Sequence, residues 1–221
     1  MTQLSPDMTV SAIAADLPGA AELFRTKGIN FCCGGNIALS EAALKAGLLP
    51  DRLIADLQAL ADAAGRDAPE ATPALIDHIL SRYHETHRAE LEWLIPLATK
   101  VERVHGDHED APLGLTEALI ALRDDLDAHM AKEETVLFPL MRQGGHAMIV
   151  HPIARMRQEH DDTAKLLAGV EHVTHGLTLP VGACGSWTAL YTGLRKFTED
   201  LVAHMHLENT VLFARFEPLE A

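Results

Sequence analysis

Two histidine–glutamate pairs stand out in this sequence because they recur with one spacing. His129 precedes Glu133 by four positions, and His204 precedes Glu208 by the same interval. On an α-helix, side chains four positions apart project side by side from one face. Each pair would therefore direct an imidazole and a carboxylate toward the same point, provided that its segment is helical.

The two pairs lie in an internal repeat. Residues 115–138 and 190–213 align without a gap at an offset of 75, and 12 of the 24 aligned positions are identical. In both copies apolar residues recur at steps of three and four, which is typical of the buried face of a helix. Beyond Glu133 we expect this face to continue through Val136, Leu137 and Leu140. Each pair thus interrupts a core stripe at the same place.

A metal centre is the simplest explanation for two such pairs in one core. A buried carboxylate is unfavourable unless it is paired, hydrogen-bonded or bound to a metal. Helical bundles build carboxylate-bridged di-metal sites from inward-facing Glu and His side chains of facing helices. The sequence therefore predicts that His129, Glu133, His204 and Glu208 hold metal between them.

The other two bundle helices are expected to add one histidine each. His160 lies in phase with the apolar face of its helix. On the first bundle helix the candidates are His84 and His87. The spacing of 45 residues from His84 to His129, against 44 from His160 to His204, favours His84. Helix phase favours His87 instead, so the residues by themselves leave this choice open.

The resulting donor set, four histidines and two glutamates, indicates the class of metal. Mixed imidazole and carboxylate ligation suits iron or manganese, and two shared carboxylates suit a di-iron pair. A structural zinc site more often uses thiolates or a closed tetrahedral set. Two histidines per iron leave coordination positions open to oxygen, nitric oxide or water. Glu134 is rotated by about 100° from Glu133 on a helix, so we expect it to face solvent.

The elements that position these residues are almost all helices. Alanine and leucine abound and no stretch alternates with period two. We predict an all-α protein in which an antiparallel four-helix bundle, 74–221, follows a small N-terminal helical domain, 1–63, and a linker, 64–73. The first bundle helix should begin at Thr72–Pro73, since proline suits the first helical position. In the N-terminal domain we expect one helix from about Thr9 to Lys27.

A double cysteine marks the N-terminal part of the chain. Cys32 and Cys33 lie between Phe31 and two glycines, in a segment that indicates a tight turn presenting two thiols. One interpretation is redox or metal-handling chemistry, since accessible thiols are the reactive ones. The alternative is a turn with incidental thiols.

The overall charge restricts the partners of this chain. Its 18 basic and 32 acidic residues give a net charge of −14. Such a surface repels phosphate backbones and anionic lipids, so we expect neither nucleic acid nor membrane as a partner. The first residues do not suggest a signal peptide, and no apolar stretch suggests a membrane span. Three cysteines, two of them adjacent, suit a reducing cytoplasm rather than a disulfide framework.

These motifs together resemble the RIC family, whose name stands for repair of iron centres. RIC proteins are bacterial hemerythrin-like di-iron proteins induced by nitrosative and oxidative stress. The resemblance covers nearly the whole chain. It rests on five segments in the bundle and one in the N-terminal domain: FCCGG at 31–35, RYHETHR at 82–88, TKVERVH at 99–105, HMAKEETVLFP at 129–139, EHD at 159–161 and HMHLENTVLF at 204–213.

The resemblance implies a set of site residues and a cofactor. The family motif places a ligand on the first histidine of YHETHR, which is His84. The cofactor would be two non-haem irons with oxo and carboxylate bridges. The family's double cysteine, matched here by Cys32 and Cys33, is linked to activity through thiol chemistry. The implied metal ligands are His84, His129, Glu133, His160, His204 and Glu208.

The resemblance also implies a function. The expected role is repair of damaged iron–sulfur clusters, with the labile di-iron site as the source of iron. The partners would be damaged or apo iron–sulfur proteins, with nitric oxide or oxygen as small ligands. One alternative is an enzyme that reduces nitric oxide to nitrous oxide at the same centre. Others are an oxygen- or nitric-oxide-binding hemerythrin-like sensor and a purely structural bundle. The oligomeric state, a homodimer included, stays open.

Overall fold

The computed structural model describes residues 4–32, 35–64, 66 and 68–217. Within these ranges the regular secondary structure is helical, and a single isolated bridge joins Thr9 to Ala38. The predicted all-α class is therefore confirmed. No helix in the described part of the chain is both long enough and apolar enough to cross a membrane.

The N-terminal part folds around a small hydrophobic core of its own. Its helices are α1 (Val10–Asp16), α2 (Ala20–Thr26), α3 (Leu39–Lys45) and α4 (Pro50–Ala63). The prediction of one helix from Thr9 to Lys27 is wrong. Pro18 restricts the residue before it to extended backbone, and Gly19 has a left-handed φ of 81°. Together they separate α1 from α2.

The larger part of the chain is a bundle of four long helical segments. The first begins at Thr72, where the cap-and-proline pattern predicts it. The segment bounds are α5 (Thr72–Ile79), a π-turn (Leu80–His84) and α6 (Glu85–His105); α7 (Leu115–Lys132), a π-turn (Glu133–Leu137) and α8 (Phe138–Arg142); a 3₁₀ turn (Ala147–Ile149) and α9 (Val150–Val173); α10 (Gly185–Leu207), a π-turn (Glu208–Leu212) and a 3₁₀ turn (Phe213–Arg215). In the bundle, α6 packs against α7 and α10, and α7 packs against α9.

The three π-turns change which side chains face the core. A π-turn holds one more residue than an α-helical turn, so it rotates the following helix face. After Glu133 the buried side chains are Leu137, Phe138 and Met141. The predicted core position Val136 is 53% exposed, and Leu140 is only partly buried. That part of the predicted stripe is wrong, because a period of 3.6 residues does not hold through the π-turn.

The hydrophobic core of the bundle is divided into two clusters. Leu126 and Met130 of α7 belong to one cluster, and Leu137, in the π-turn after α7, belongs to the other. Leu201 of α10 and Leu212, in the π-turn after α10, are divided in the same way. The polar pairs of the repeat lie between these clusters, so an apolar layer covers the site on both sides.

The N-terminal part packs on the bundle through a buried arginine. The Arg25 side chain is only 11% exposed. Its guanidinium donates to Glu171 Oε1 at 2.9 Å and to the carbonyl of Gly176 at 3.0 Å. The Gly19 amide donates to Glu199 Oε2 at 3.0 Å. These contacts join α2 and the loop before it to the α9 and α10 side of the bundle.

Candidate metal centre

The repeated pairs converge in the middle of the bundle. His129 lies near the end of α7 and Glu133 begins the π-turn after it. His204 and Glu208 have the same relation to α10 and its π-turn. Their exposed fractions are between 0 and 2%, so all four side chains are removed from solvent. The prediction from helical periodicity that these four residues face the core is therefore confirmed.

The π-turn before α6 places His84, rather than His87, in the cluster of candidate ligands. Ile79 and His84 are both fully buried, five positions apart, as a π-turn requires. This step turns the His84 side chain inward, and its Nε2 atom lies 3.5 Å from Glu133 Oε2. His87 is also buried, but it lies beside the cluster rather than in it.

The six predicted ligands form two groups that share both carboxylates. In each group the ligand atoms lie within 4.8 Å of one another. Glu133 and Glu208 belong to both groups, so they occupy the bridging position. His84 and His204 complete one group; His129 and His160 complete the other. We call these the His84–His204 half and the His129–His160 half.

The nitrogen and oxygen atoms of the cluster lie close enough together to converge on a cation. His129 Nε2 lies 3.3 Å from Glu133 Oε2. Glu208 lies 3.1 Å from His160 Nε2 and 3.2 Å from His204 Nε2. The Nε2 atoms of His129 and His160 are 3.1 Å apart. Every histidine therefore directs its Nε2 atom into the space between the carboxylates.

Burial sets the protonation of the cluster. It raises the pKa of Glu133 well above the ordinary value, and the nearby Glu208 carboxylate adds to this effect. For Glu208 burial acts in the same direction, but His204 and His160 outweigh it and lower the pKa well below the ordinary value. Burial lowers the pKa of His129 to about 4, and His160 adds to this shift. His129 thus favours the neutral form, which can bind a metal.

The unpartnered atoms of the cluster test whether the site fits a metal. Among the described residues, both carboxylate oxygens of Glu133 and of Glu208 lack a hydrogen-bond partner. The Nε2 atoms of His84 and His204 lack one too. Leaving so many buried polar atoms unpaired is costly. Metal ions bound in the cluster could be coordinated by all of these atoms, so the residues of the cluster suit a metal site.

Three of the predicted ligands form a hydrogen bond through Nδ1, the ring nitrogen that points away from the cluster. The acceptors are residues that the sequence did not predict for the site. His84 Nδ1 donates to Glu134 at 2.8 Å and His129 Nδ1 donates to Glu159 at 3.1 Å. His160 Nδ1 donates to the Asn209 amide oxygen at 2.9 Å. Such partners fix the tautomer and orientation of a metal-binding imidazole.

The expectation that Glu134 faces solvent is wrong, because its carboxylate turns toward His84 on the neighbouring helix. One feature of the sequence could have indicated these three hydrogen-bond acceptors. Each partner directly precedes or follows a predicted ligand, and Glu134 and Asn209 occupy equivalent positions of the repeat.

Arginine and lysine side chains donate hydrogen bonds to the carboxylates of Glu134 and Glu159. Arg88 donates to Glu134 at 2.9 Å. Lys132 and Arg155 donate to Glu159 at 2.7 and 2.8 Å. Burial would raise the pKa of both carboxyls, but these hydrogen bonds, with those from the ligand histidines, lower the pKa in each case. Both partners are therefore ionised acceptors for the histidines.

Cys32 lies outside the two groups of predicted metal ligands. Cys32 is partly exposed and lines a small cavity, of about 50 Å³, together with Phe31 and Glu171. It belongs to neither metal-binding group in the described part of the chain. Cys33 lies outside the described residues. A role for these thiols stays a prediction.

Two domain families match this chain. The Hemerythrin HHE cation binding domain matches residues 75–216, and a Domain of Unknown function, DUF542, matches residues 6–61. The match to a cation-binding domain, together with the His–Glu cluster inside it, identifies a metal-binding site.

Several relatives match nearly the whole chain, across both of these domains. The chain is 45% identical over 212 residues to the iron-sulfur cluster repair protein YtfE of Pectobacterium carotovorum, covering 95% of this chain and 96% of the relative. It is 44% identical to the protein of the same name from Pectobacterium atrosepticum, with the same coverage. It is 42% identical over 213 residues to that from Escherichia coli SMS-3-5, over 95% and 96% of the two chains. The chain therefore belongs to the hemerythrin-like family of the iron-sulfur cluster repair proteins, as its motifs predict.

Proposed function

We propose that this protein repairs iron–sulfur clusters damaged by nitrosative or oxidative stress by supplying iron from a labile non-haem di-iron site. The observation that carries the proposal is the pair of four-residue groups that share Glu133 and Glu208. Relatives that match nearly the whole chain are named iron-sulfur cluster repair proteins, which supports the role. The site ligands are proposed to be His84, His129, Glu133, His160, His204 and Glu208.

The donor set supports iron as the metal. Nitrogen and carboxylate donors without thiolate suit iron or manganese better than a structural zinc. Each group offers two histidines and two carboxylates that it shares with the other. A metal held by so few donors of its own keeps open positions, so it exchanges more readily than one in a closed set of ligands. This lability is what an iron source requires.

The residues of the chain would divide the work of holding and releasing iron. Glu133 and Glu208 would bridge the two irons, and the four histidines would bind one iron in each half. Glu134, Glu159 and Asn209 would orient the histidines. The bound irons would supply the cargo for an apo or damaged cluster. Cys32 and Cys33 are proposed as thiols that assist this transfer.

The proposal is tested by following labelled iron. The protein would be loaded anaerobically with ⁵⁷Fe and mixed with an apo ferredoxin, sulfide and thiol reductant. We expect ⁵⁷Fe in the rebuilt cluster by Mössbauer spectroscopy, even when a ferrous chelator is present to trap released iron. A double variant, Glu133→Ala with Glu208→Ala, is the control and should transfer none. If the chelator prevents cluster formation entirely, direct donation is excluded.

A second function, reduction of nitric oxide, is favoured by one observation. A cavity of about 360 Å³ is lined by His84, Glu134 and Arg88, so there is room for a small molecule next to the His84 side of the cluster. This function predicts formation of nitrous oxide from nitric oxide and a reductant while the iron stays bound. Gas analysis together with iron content after turnover separates it from donation, which depletes the iron.

The remaining assignments are proposals of the same kind. We assign the chain to the cytoplasm and divide it at 64–73 into an N-terminal domain, 1–63, and the bundle, 74–221. Limited proteolysis tests the division, since cleavage should concentrate within 64–73. Sedimentation at several concentrations would decide between a monomer and a homodimer.

A further inference from the structure

The outer nitrogen of His204 differs from those of the other three histidines. His84, His129 and His160 each donate through Nδ1 to an oxygen of another side chain. The Nδ1 atom of His204 is buried, and no hydrogen-bond partner for it exists among the described residues. A metal-binding histidine almost always donates its other ring N–H to an acceptor. The metal-bound form of His204 therefore needs one.

His87 is the neighbour with unused hydrogen-bonding capacity. Its side chain is fully buried, and neither of its ring nitrogens has a partner in the part of the chain that the structure describes. Its ring centre lies 5.4 Å from that of His204, with the rings tilted by 38°. The two rings are therefore neighbours whose nitrogens form no hydrogen bond in this structure. A rotation of the rings that turned one nitrogen of each toward the other would bring the two nitrogens to about 3 Å, which is hydrogen-bond distance.

The other aromatic neighbours cannot serve as the acceptor. The Tyr83 ring is stacked on His204, with a ring-centre distance of 5.2 Å and an angle of 8°. A stacked ring lies above the face of the imidazole, whereas the Nδ1–H bond points outward in the ring plane. Phe197 packs edge-on against His87 and has no acceptor. The His84 ring also packs on His204, but its Nδ1 atom is bonded to Glu134 and its Nε2 atom belongs to the proposed metal site. Among the imidazoles packed on His204, His87 is thus the one with a nitrogen available to accept in the neutral form.

We propose that His87 is the positioning residue for His204, accepting the hydrogen bond from His204 Nδ1–H when His204 Nε2 binds the metal. This inference rests on the proposed metal site and adds a residue to it. It accounts for a buried imidazole that is unpartnered among the described residues. It also accounts for the second histidine of the YHETHR segment, which neither metal-binding group includes.

The competing explanation is that His87 only fills space in the core. A phenylalanine would fill the same aromatic surroundings of Tyr83, Phe197 and His204 without an unpaired polar atom. The two explanations therefore make opposite predictions for His87→Phe. A space-filling residue can be replaced without effect on the metal, and a positioning residue cannot.

The experiment compares His87→Phe with His87→Gln in the full chain. Chelator competition with Fe²⁺ under anaerobic conditions measures the affinity of each metal. We expect His87→Phe to bind both metals, one of them about 10- to 100-fold more weakly, as is typical when an outer partner is lost. His87→Gln keeps an oxygen acceptor and should recover part of the loss. The thermal unfolding temperature of metal-free His87→Phe should equal or exceed that of the unchanged protein.

A matched control uses a histidine that packs on an aromatic ring far from the site. The His105 ring lies 4.9 Å from Trp187, and its Nε2 atom contacts Cys184 Sγ at 3.1 Å. His105→Phe should leave the affinity for both metals unchanged. A loss of affinity in this variant equal to that of His87→Phe would overturn the inference, because the loss of metal affinity would then not depend on contact with His204.

Three further results would overturn the inference. If His87→Phe holds both metals as tightly as the unchanged protein, His87 fills space only. If it binds one metal instead of two, His87 is a direct ligand. If His87→Gln is as weak as His87→Phe, shape rather than a hydrogen bond is responsible. Failure of the unchanged protein to bind iron would instead contradict the proposed function, so the two failures are distinguishable.

Discussion

The two halves of the candidate metal centre contain the same types of residue, two histidines and the shared carboxylates, but their surroundings differ. In the His129–His160 half, His129 donates to Glu159 and His160 donates to Asn209. Two cationic side chains form ion pairs with Glu159. In the His84–His204 half, Glu134 holds His84, whereas His204 has no outer partner among the described residues. Only this half also borders the cavity of about 360 Å³.

The difference shows how a duplicated sequence can produce an asymmetric site. The repeat places Glu134 and Asn209 at equivalent positions, and each holds a histidine of another helix. One is a charged acceptor and the other is a neutral amide, and charge-assisted hydrogen bonds are about twice as strong. His204, however, has no oxygen acceptor for Nδ1 among the described residues, whereas both histidines of the other half have one. We therefore expect the two metals to differ in affinity, the metal of the His84–His204 half being released first.

The largest effect is expected from removing a carboxylate that both halves share. Glu133→Ala takes one donor from each group, so we expect loss of both metals rather than one. Elemental analysis after anaerobic iron loading measures this, with His108→Ala at the distant end of the bundle as the control. Retention of one full metal equivalent would show that Glu133 serves a single half.

A smaller effect is expected from removing one histidine. His129→Ala and His84→Ala each take a donor from a single group, so each variant should retain the metal of the other half. Iron per chain, measured under equal loading, should fall by about half in both, because each group holds its own pair of histidines. If either variant loses all its iron, the halves do not bind metal independently and the comparison between them fails.

The outer carboxylates should have effects that differ between the halves. Glu159→Ala and Glu134→Ala each remove the partner of a ligand, which typically costs about 10- to 100-fold in metal affinity. Glu159 is the more buried, with a side chain 7% exposed against 30% for Glu134, and two cations bind it. We therefore expect the greater loss in Glu159→Ala. Chelator competition on both variants checks the order, and the reverse order would contradict it.

The smallest effect is expected at the neutral partner. Asn209→Ala removes the acceptor of His160, but the lost hydrogen bond is not charge-assisted. A loss of about 10-fold in the affinity of one metal is expected, at the low end for outer partners. The same competition assay applies, and Asn209→Asp is the matched variant because it keeps the acceptor. A loss larger than that of Glu159→Ala would mean that charge does not set the strength of these contacts.

Much of the fold and of the candidate site was predictable from short-range patterns. The cap and proline at Thr72–Pro73 locate the start of the bundle, and the repeat identifies His129, Glu133, His204 and Glu208 as equivalent inward residues. The structure brings these four together with His84 and His160. Their assignment as ligands, like the division of the chain at 64–73, stays a prediction.

The errors have physical causes that local patterns do not contain. The helix predicted from Thr9 to Lys27 is broken because Gly19 adopts a left-handed backbone. Val136 is exposed because a π-turn rotates the helix after Glu133. The same kind of turn brings His84 inward, where a regular helix favours His87.

The sequence by itself determined the helical class, the two equivalent core stripes and the polar pairs that interrupt them, because these depend on spacing along one helix. Only the tertiary structure decided which outer partner each histidine has. Glu134, Glu159 and Asn209 reach histidines on other helices. Such contacts depend on the offset and rotation between packed helices, which three π-turns alter here. His204 and His87 become neighbours for the same reason.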